Sequence, residues 1–444
     1  MSKGLWRIVL YALLILAPLL ITAAVSPGIR HPNGVLYEFA KNMASIGFMI
    51  LMLQPVLAGR FKGIEAPFGL DILIRFHKHM AVFAVGLLIL HPLLLAAGGA
   101  GWTLLLGLDL PWYIWVGKGA LVLLLINGAL SLFQQRIGIS FEKWRLSHDI
   151  LGPIILVMIF FHSYFAGRNL ENPPLSWLWP LILLASAAVF LYHRSIRPRK
   201  LAAAPYRVSE TTAEADDVWT VKLTPPEGGA VPDYDPGQFH FITFHRRPDL
   251  PEEEHHWTIS SSPTEQGFVS STIKALGDFT RTMGETQEGD TATVHGPFGR
   301  FSYRNHPDET HLVFIAGGIG VTPLRAMLRH MADTDADRSV RFIYANKNED
   351  GIVFRDELEG IADGDRPRLQ LTHVLENPGE GWTGETGFVD REKLQRLCGD
   401  WVENETAGFY VCGPPGLTNA VIGHLKALGV PDHRLHLELF SFLD

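Results

Sequence analysis

Four histidines in the apolar half of the chain form two matched pairs, His77 with His91 and His148 with His162, each pair fourteen residues apart. On an α-helix that interval is a rise of about 21 Å and a rotation about 40° short of four full turns. Each pair therefore lines one face of its helix at two depths. Two such helices side by side set His opposite His twice and give two stacked bis-imidazole sites. That arrangement suits two haems held by axial imidazoles and carrying electrons across a bilayer. A lone histidine in such a segment is more often a hydrogen-bonded packing residue, but two pairs at one helix-compatible spacing favour ligation. His79 lies twelve residues from His91, about 120° off that face, and is expected outside the sites.

A second set of residues lies in the polar half. Ala316-Gly317-Gly318-Ile319-Gly320-Val321-Thr322-Pro323 follows an apolar run and precedes a helical pattern. Thr322 reads as an N-cap and Pro323 as a first-turn residue. Glycines there let backbone N–H groups approach a pyrophosphate at the positive end of the helix. Cys412-Gly413-Pro414-Pro415-Gly416 follows another apolar run. At the carboxyl ends of parallel strands this is where a dinucleotide lies, and Cys412 would either approach a nicotinamide or serve as a small buried residue. His255-His256-Trp257-Thr258-Ile259-Ser260 places an aromatic beside a hydroxyl at a strand edge, suited to stacking on a flat ring such as a flavin. Lys274, with Gly277 and Thr280 at a helix start, offers a cation and amides to phosphate.

Long apolar runs fill roughly the first 195 residues. Six of them are long enough for a hydrocarbon core: Leu5–Val25, Val35–Leu57, Ile74–Ala97, Pro111–Phe133, His148–Gly167 and Leu175–Tyr192. The first is too long for a signal-peptide core. Lys3, Arg7, Arg60, Lys62, Arg136, Lys143, Arg145, Arg194, Arg197, Arg199 and Lys200 fall on one side, and little beyond Arg30 and Arg168 on the other. The positive-inside rule then makes both termini cytoplasmic, with His77/His148 the inner site and His91/His162 the outer. Arg194–Pro205 reads as a basic linker. Short alternating runs from Tyr206 to about Tyr303, with an Asp235-Pro236-Gly237 turn, indicate a small antiparallel barrel. Strand–helix alternation from about Thr310 indicates a parallel α/β unit. The expected fold is thus a multi-domain membrane protein: an all-α six-helix transmembrane bundle, an antiparallel β-barrel and an α/β Rossmann-like domain, spanning 1–200, 204–304 and 308–444. Two cysteines exclude a disulfide framework and a cysteine-held iron–sulfur cluster. A net charge of −8 without a basic stripe gives no case for nucleic acid.

Taken together these residues resemble the ferric reductase and NADPH oxidase superfamily, of bacterial type, over nearly the whole chain. The resemblance implies FAD, two b-type haems and NADPH or NADH as cofactors, with His77, His91, His148 and His162 as iron ligands. His255-His256-Trp257-Thr258 resembles the flavin motif: His255 would meet phosphate or ribose, Trp257 would stack, and Thr258 would face the reactive flavin nitrogen. Gly277 to Thr280 resembles the pyrophosphate motif. Gly317, Gly318, Gly320, Thr322 and Pro323, together with Cys412, Gly413 and Pro414, resemble the two nicotinamide-dinucleotide motifs. Glu438-Leu439-Phe440 resembles the terminal acid and aromatic, with Phe440 covering the flavin. The family's polar groups near the outer haem are replaced, with Lys41 near an expected arginine and Leu95 at an expected second histidine. Lys118 and Asn127 are further polar residues within apolar runs. The implied activity is electron transfer from cytoplasmic NAD(P)H, through a plasma membrane, to oxygen or a ferric chelate. The alternatives are exchange with a quinone or protein partner, and a haem sensor with a structural reductase half. Asn346-Lys347-Asn348 leaves NADPH against NADH open.

Overall fold

The structure, a computed structural model, describes residues 3–25, 34–167 and 173–439. It divides into two compact units, Met1–Arg197 and Pro198–Asp444, each described by itself.

Among the described residues, the first unit holds six long apolar helices: α1 (Lys3–Val25), α2 (Val35–Ala58), α3 (Leu70–Leu95), α4 (Trp112–Ile137), α5 (Phe141–Ala166) and α6 (Leu175–Leu191). All six are long and apolar enough to cross a membrane. Their outward faces carry exposed Leu13, Phe83, Val122 and Leu181, a pattern stable only against hydrocarbon. The central helix is α2, with 61% of its apolar window buried against 11–17% for the other five. Around it, Phe48, Met49, Ile50 and Met52 pack with Ala84, Ala120, Leu124, Ile155, Ile159 and Trp179. The helix carrying His148 begins at Phe141 rather than at His148, because hydropathy marks the membrane-crossing stretch and misses the polar turns that extend it. Arg30 and Arg168, used above for orientation, lie outside the described residues.

In the second unit, β1 (Tyr206–Ala215), β2 (Val218–Thr224), β3 (Phe239–His245), β4 (Glu254–Thr258), β5 (Val269–Lys274) and β6 (Thr291–Phe298) form a sheet ordered β4-β3-β6-β1-β2-β5. Every pairing in it is antiparallel. Its two end strands are drawn together just past β4, where the Ser260 N–H donates to the Ser270 carbonyl at 2.8 Å. Inward residues Val208, Val221, Leu223, Ile242, Phe244 and Ile273 fill the interior.

The second sheet contains β7 (His311–Gly317), β8 (Ser339–Asn346), β9 (Arg368–Leu375), β10 (Glu385–Thr386), β11 (Ala407–Cys412) and β12 (Leu435–Glu438). All its pairings are parallel, in the order β10-β9-β8-β7-β11-β12. Between the strands run α7 (Val321–Asp333), α8 (Arg355–Ala362), α9 (Arg391–Cys398) and α10 (Pro415–Leu428). Alternate residues of β7 serve opposite faces: Leu312, Phe314 and Ala316 join one core, Val313 and Ile315 the other. Both faces are thus covered, as a parallel sheet requires. The strand order reverses between β7 and β11, the switch point at which such sheets open a crevice beyond their carboxyl ends.

Candidate functional site

The residues that the sequence singles out gather in both units. In the helical unit, His77 on α3 and His148 on α5 face each other with ring centres 6.4 Å apart and planes at 66°. His91 and His162 lie close enough to interact electrostatically. The His91 Nδ1 sits 2.9 Å from the Ala40 carbonyl on α2, and the His162 Nδ1 2.9 Å from the Tyr113 carbonyl on α4. A carbonyl only accepts, so each Nδ1 carries the proton and each Nε2 keeps its lone pair for a metal. His148 reaches a comparable state through Ser131. The Ser131 hydroxyl donates to the Asn127 carbonyl at 2.8 Å and accepts from the Trp144 indole at 3.2 Å. It therefore faces the His148 Nδ1, 3.4 Å away, as an acceptor. His79 is exposed and its Nδ1 bonds to the Arg75 carbonyl of its own helix at 2.7 Å, off the paired face as its spacing required.

Close approach of His162 to α4 depends on Gly117. A Cβ built there would stand 2.4 Å from the His162 Nδ1 and 2.6 Å from its Cε1. Of the polar residues singled out in the apolar runs, Asn127 is buried with its side-chain oxygen unpartnered, whereas the two lysines are engaged locally. Lys118 donates to the Leu105 carbonyl at 2.9 Å and lies over the Trp115 ring. Lys41 pairs with Glu38 at 3.3 Å.

In the second unit the two glycine-rich turns meet at the switch point. Gly318 has φ +52°. A Cβ on Gly320 would stand 2.3 Å from the Cys412 carbonyl oxygen, one on Gly413 3.0 Å from the Gly317 amide nitrogen, and one on Gly317 3.0 Å from Pro414. The turns therefore touch through backbone, which only glycine permits. The helix start differs from expectation. Gly320 is the N-cap of α7, and Thr322 lies buried in the first turn, donating to the Ile319 carbonyl at 3.1 Å. A tight turn at Gly318–Gly320 starts the helix early and draws Pro323 into its buried face. Cys412 is fully buried and pairs with Glu438 across β11 and β12. Burial, then the Glu438 carboxylate, pushes its thiol well above the ordinary range, so it stays protonated. Phe440 lies outside the described residues.

The flavin-like residues divide across β4. His255 and Trp257 point toward Phe279, with ring centres 4.5 and 6.0 Å from it. His256 lies against Phe239 and Phe241 on the other face. Thr258 is buried and its carbonyl accepts from the Ser271 hydroxyl. Ser260 is buried in a hydroxyl cluster with Ser270 and Thr272, both at 3.0 Å. Lys274 pairs with Asp217 at 3.4 Å. The Thr280 hydroxyl accepts from both the Leu276 and Gly277 amides at 2.9 Å, so a phosphate here would displace that hydroxyl.

Sequence reasoning missed Gly117, Ser131 and the two carbonyls behind the outer histidines. It also missed Arg325 on α7, which bridges the two sheets. Arg325 bonds to the Ser260 carbonyl at 2.7 Å, Glu265 at 3.3 Å and Glu357 at 2.8 Å, beside a cavity of 520 Å³ also lined by Ser260, Ser270 and Phe354. An arginine on a helix carries no sequence signal for such a role.

Residues 43–159 match the family described as ferric reductase like transmembrane component, a span holding His77, His91 and His148 and ending just before His162. Residues 314–422 match the oxidoreductase NAD-binding domain. NADH-cytochrome b5 reductase 1 of Laccaria bicolor is 38% identical over 157 residues, 35% of this chain and 50% of that protein. The plasma membrane-associated coenzyme Q6 reductase of Saccharomyces cerevisiae is 29% identical over 184 residues, 41% and 58% respectively. The glycine betaine monooxygenase reductase subunit of Chromohalobacter salexigens is 33% identical over 214 residues, 47% and 56%. The chain thus spans half to three fifths of the length of these relatives. Among solved structures, the cytochrome b5 reductase domain of Ulva prolifera nitrate reductase matches with a TM-score of 0.48 and 21% identity, over 53% of this chain and 96% of that one. One polypeptide thus joins a match to the ferric reductase like transmembrane component and a match to the oxidoreductase NAD-binding domain.

Proposed function

We propose that the chain is a transmembrane electron-transfer enzyme of a bacterial-type plasma membrane. It takes electrons from cytoplasmic NAD(P)H and delivers them to oxygen or a ferric chelate on the outer side, with FAD and two b-type haems as resident cofactors. Both termini and the reductase module are cytoplasmic in this reading, from the basic residues at the helix ends. The observation that carries it is the state of the histidines: Nδ1 of His91 and His162 is committed to a carbonyl. The residues fit the group. Two imidazoles sharing one metal at about 2 Å from each nitrogen have ring centres about 6 Å apart, and those of His77 and His148 are 6.4 Å apart. The flavin supplies the exchange between hydride and single electrons, and haem iron supplies one-electron carriage.

The chain's own residues position these groups. His77 and His148 would hold the inner haem, His91 and His162 the outer. Trp257 offers a ring face for the flavin, His255 its phosphate contact, and Thr258 its polar edge. Gly317, Gly320 and Gly413 let the two turns pack through backbone, and the dinucleotide's pyrophosphate would lie against the amides of these turns. Cys412, a fully buried neutral thiol, and Glu438 beside it would back the crevice end where nicotinamide meets flavin, and Phe440 is the aromatic that the resemblance assigns to cover the flavin.

The test is an anaerobic visible spectrum of the haem- and FAD-loaded protein, reduced by NADPH and then exposed to air with a superoxide probe. Haem reduction followed by fast reoxidation and near-stoichiometric superoxide identifies oxygen as acceptor. Haem that never reduces overturns the reading. A second reading, exchange with a quinone or protein partner, draws support from the coenzyme Q6 reductase among the relatives. It predicts haem reduction, slow reoxidation in air and fast reoxidation by added quinone.

A further inference from the structure

We propose that His306, Glu309 and His436 form a binding site for a divalent transition-metal ion of the zinc class. The ligand atoms of these three residues already lie within 4.8 Å of one another. The His436 Nε2 is 2.7 Å from Glu309 Oε1 and the His306 Nδ1 is 4.0 Å from that same oxygen. An ion at about 2.1 Å from each of three tetrahedral ligands separates them by roughly 3–4 Å, so shifts of about an ångström complete the site. The two imidazoles lie side by side, ring centres 3.9 Å apart, and converge on one carboxylate. Two histidines and a carboxylate leave a fourth position for water.

The surroundings are built for a ligating carboxylate. The Tyr410 hydroxyl donates to Glu309 Oε2 at 2.6 Å, the outer hydrogen bond that orients a metal-binding carboxylate. Gly408 makes room, since a Cβ there would stand 2.0 Å from Glu309 Oε2. Glu309 and His436 are each 11% exposed and His306 is 34% exposed, so an ion enters from the His306 side. The nearby Arg434 does not compete for the carboxylate, because its N–H groups bond to the Ala407, Val402 and Trp401 carbonyls.

This cluster lies away from the nucleotide crevice. Glu309 precedes β7, whereas the glycine turn follows it. The ion would tie the segment leaving the first sheet to β12, the strand that carries Glu438 alongside Cys412. Its effect is therefore on how firmly the chain's last strand is held.

The experiment is equilibrium dialysis of the haem- and FAD-loaded full chain, stripped with chelator, against radioactive zinc at micromolar free concentration. The proposal expects one zinc retained per chain, undiminished by excess Mg²⁺, because two imidazoles select zinc over magnesium. His306→Ala and Glu309→Gln should each weaken retention at least tenfold. Glu309→Gln keeps the shape and the Tyr410 contact, so its melting temperature in chelator should match that of the unaltered protein. Zinc should raise the melting temperature of the unaltered chain by several degrees and leave both variants unmoved. Absence of stoichiometric zinc overturns the proposal, and so does equal retention by both variants.

Discussion

Replacing Gly117 with alanine should displace His162 and empty the outer site. The added Cβ would stand 2.4 to 2.7 Å from three atoms of the His162 ring, where contact needs about 3.5 Å. The ring must retreat by about 1 Å, which stretches its 2.9 Å bond to the Tyr113 carbonyl beyond hydrogen-bonding range. Losing that bond costs about 1 kcal/mol, and an off-rotamer imidazole about another 1 kcal/mol. Together they weaken whatever His162 holds by roughly thirtyfold. The assay is haem per chain by the pyridine haemochrome method on detergent-purified protein. Gly117→Ala should fall from about two haems toward about one, while His148→Ala empties the inner site instead. Gly128→Ala is the control, because nothing lies within 4 Å of a Cβ there and alanine favours a helix. Full haem content and an unaltered spectrum in a folded Gly117→Ala protein would refute the reasoning.

Four further outcomes are expected. Gly320→Ala forces a Cβ to 2.3 Å from the Cys412 carbonyl and should slow flavin bleaching by NADPH in stopped flow at least tenfold with FAD content intact; an unchanged rate would place the dinucleotide elsewhere. The Cys412 thiol is buried and held well above its ordinary pKa, and burial pushes the Cys398 thiol up to about 12. Neither should react quickly with Ellman's reagent at pH 8 until the protein unfolds, and rapid native labelling of Cys412 contradicts its burial. His240 is fully buried, 2.7 Å from the Ser271 hydroxyl, and burial lowers its pKa to about 3. Below an unfolded value of about 6.5 only the unfolded chain takes up that proton, so stability should fall by up to about 1.4 kcal/mol per pH unit as pH drops from 6.5 toward 3. His240→Gln should flatten that slope in melts followed by flavin fluorescence, and an identical slope would exclude His240 as its source. Arg325→Met removes the shared cation from Glu265 and Glu357, whose side chains are 24% and 21% exposed, leaving them the Ser262 N–H at 2.7 Å and Arg329 at 3.7 Å respectively. That partial exposure trims the usual penalty for a broken buried pair to about 2–3 kcal/mol, and a loss below about 0.5 kcal/mol by urea titration would show the bridge to be ornamental.

Features set by local geometry were legible in the sequence, and features set by distant backbone were not. The fourteen-residue interval needs only the pitch of a helix to put His77 with His91 and His148 with His162, and α3 and α5 carry them so. The glycine turns after β7 and β11 were legible because a strand, a glycine and a helix are consecutive in the chain. The start of α7 was misjudged by two residues, since a side chain able to cap does not reveal that Gly318–Gly320 already turns the chain. Gly117 resembles Gly119 and Gly128 in an apolar run; only the packing of α5 on α4 distinguishes it.

The histidines' partners carry the larger lesson. Ala40 lies 51 residues from His91, and Tyr113 lies 49 residues from His162. Both act through carbonyls, which have no residue identity to read. Yet these carbonyls, with Ser131 behind His148, decide which nitrogen carries the proton and therefore which can bind metal. The histidine-bearing helices α3 and α5 are consequently insufficient alone. Without α2 and α4 each outer imidazole would leave a buried N–H unpaired, at about 1–3 kcal/mol apiece, and could turn its lone pair away from the facing ring. Four helices define the sites: two present imidazoles, and two hold those of His91, His148 and His162 in the form that can ligate.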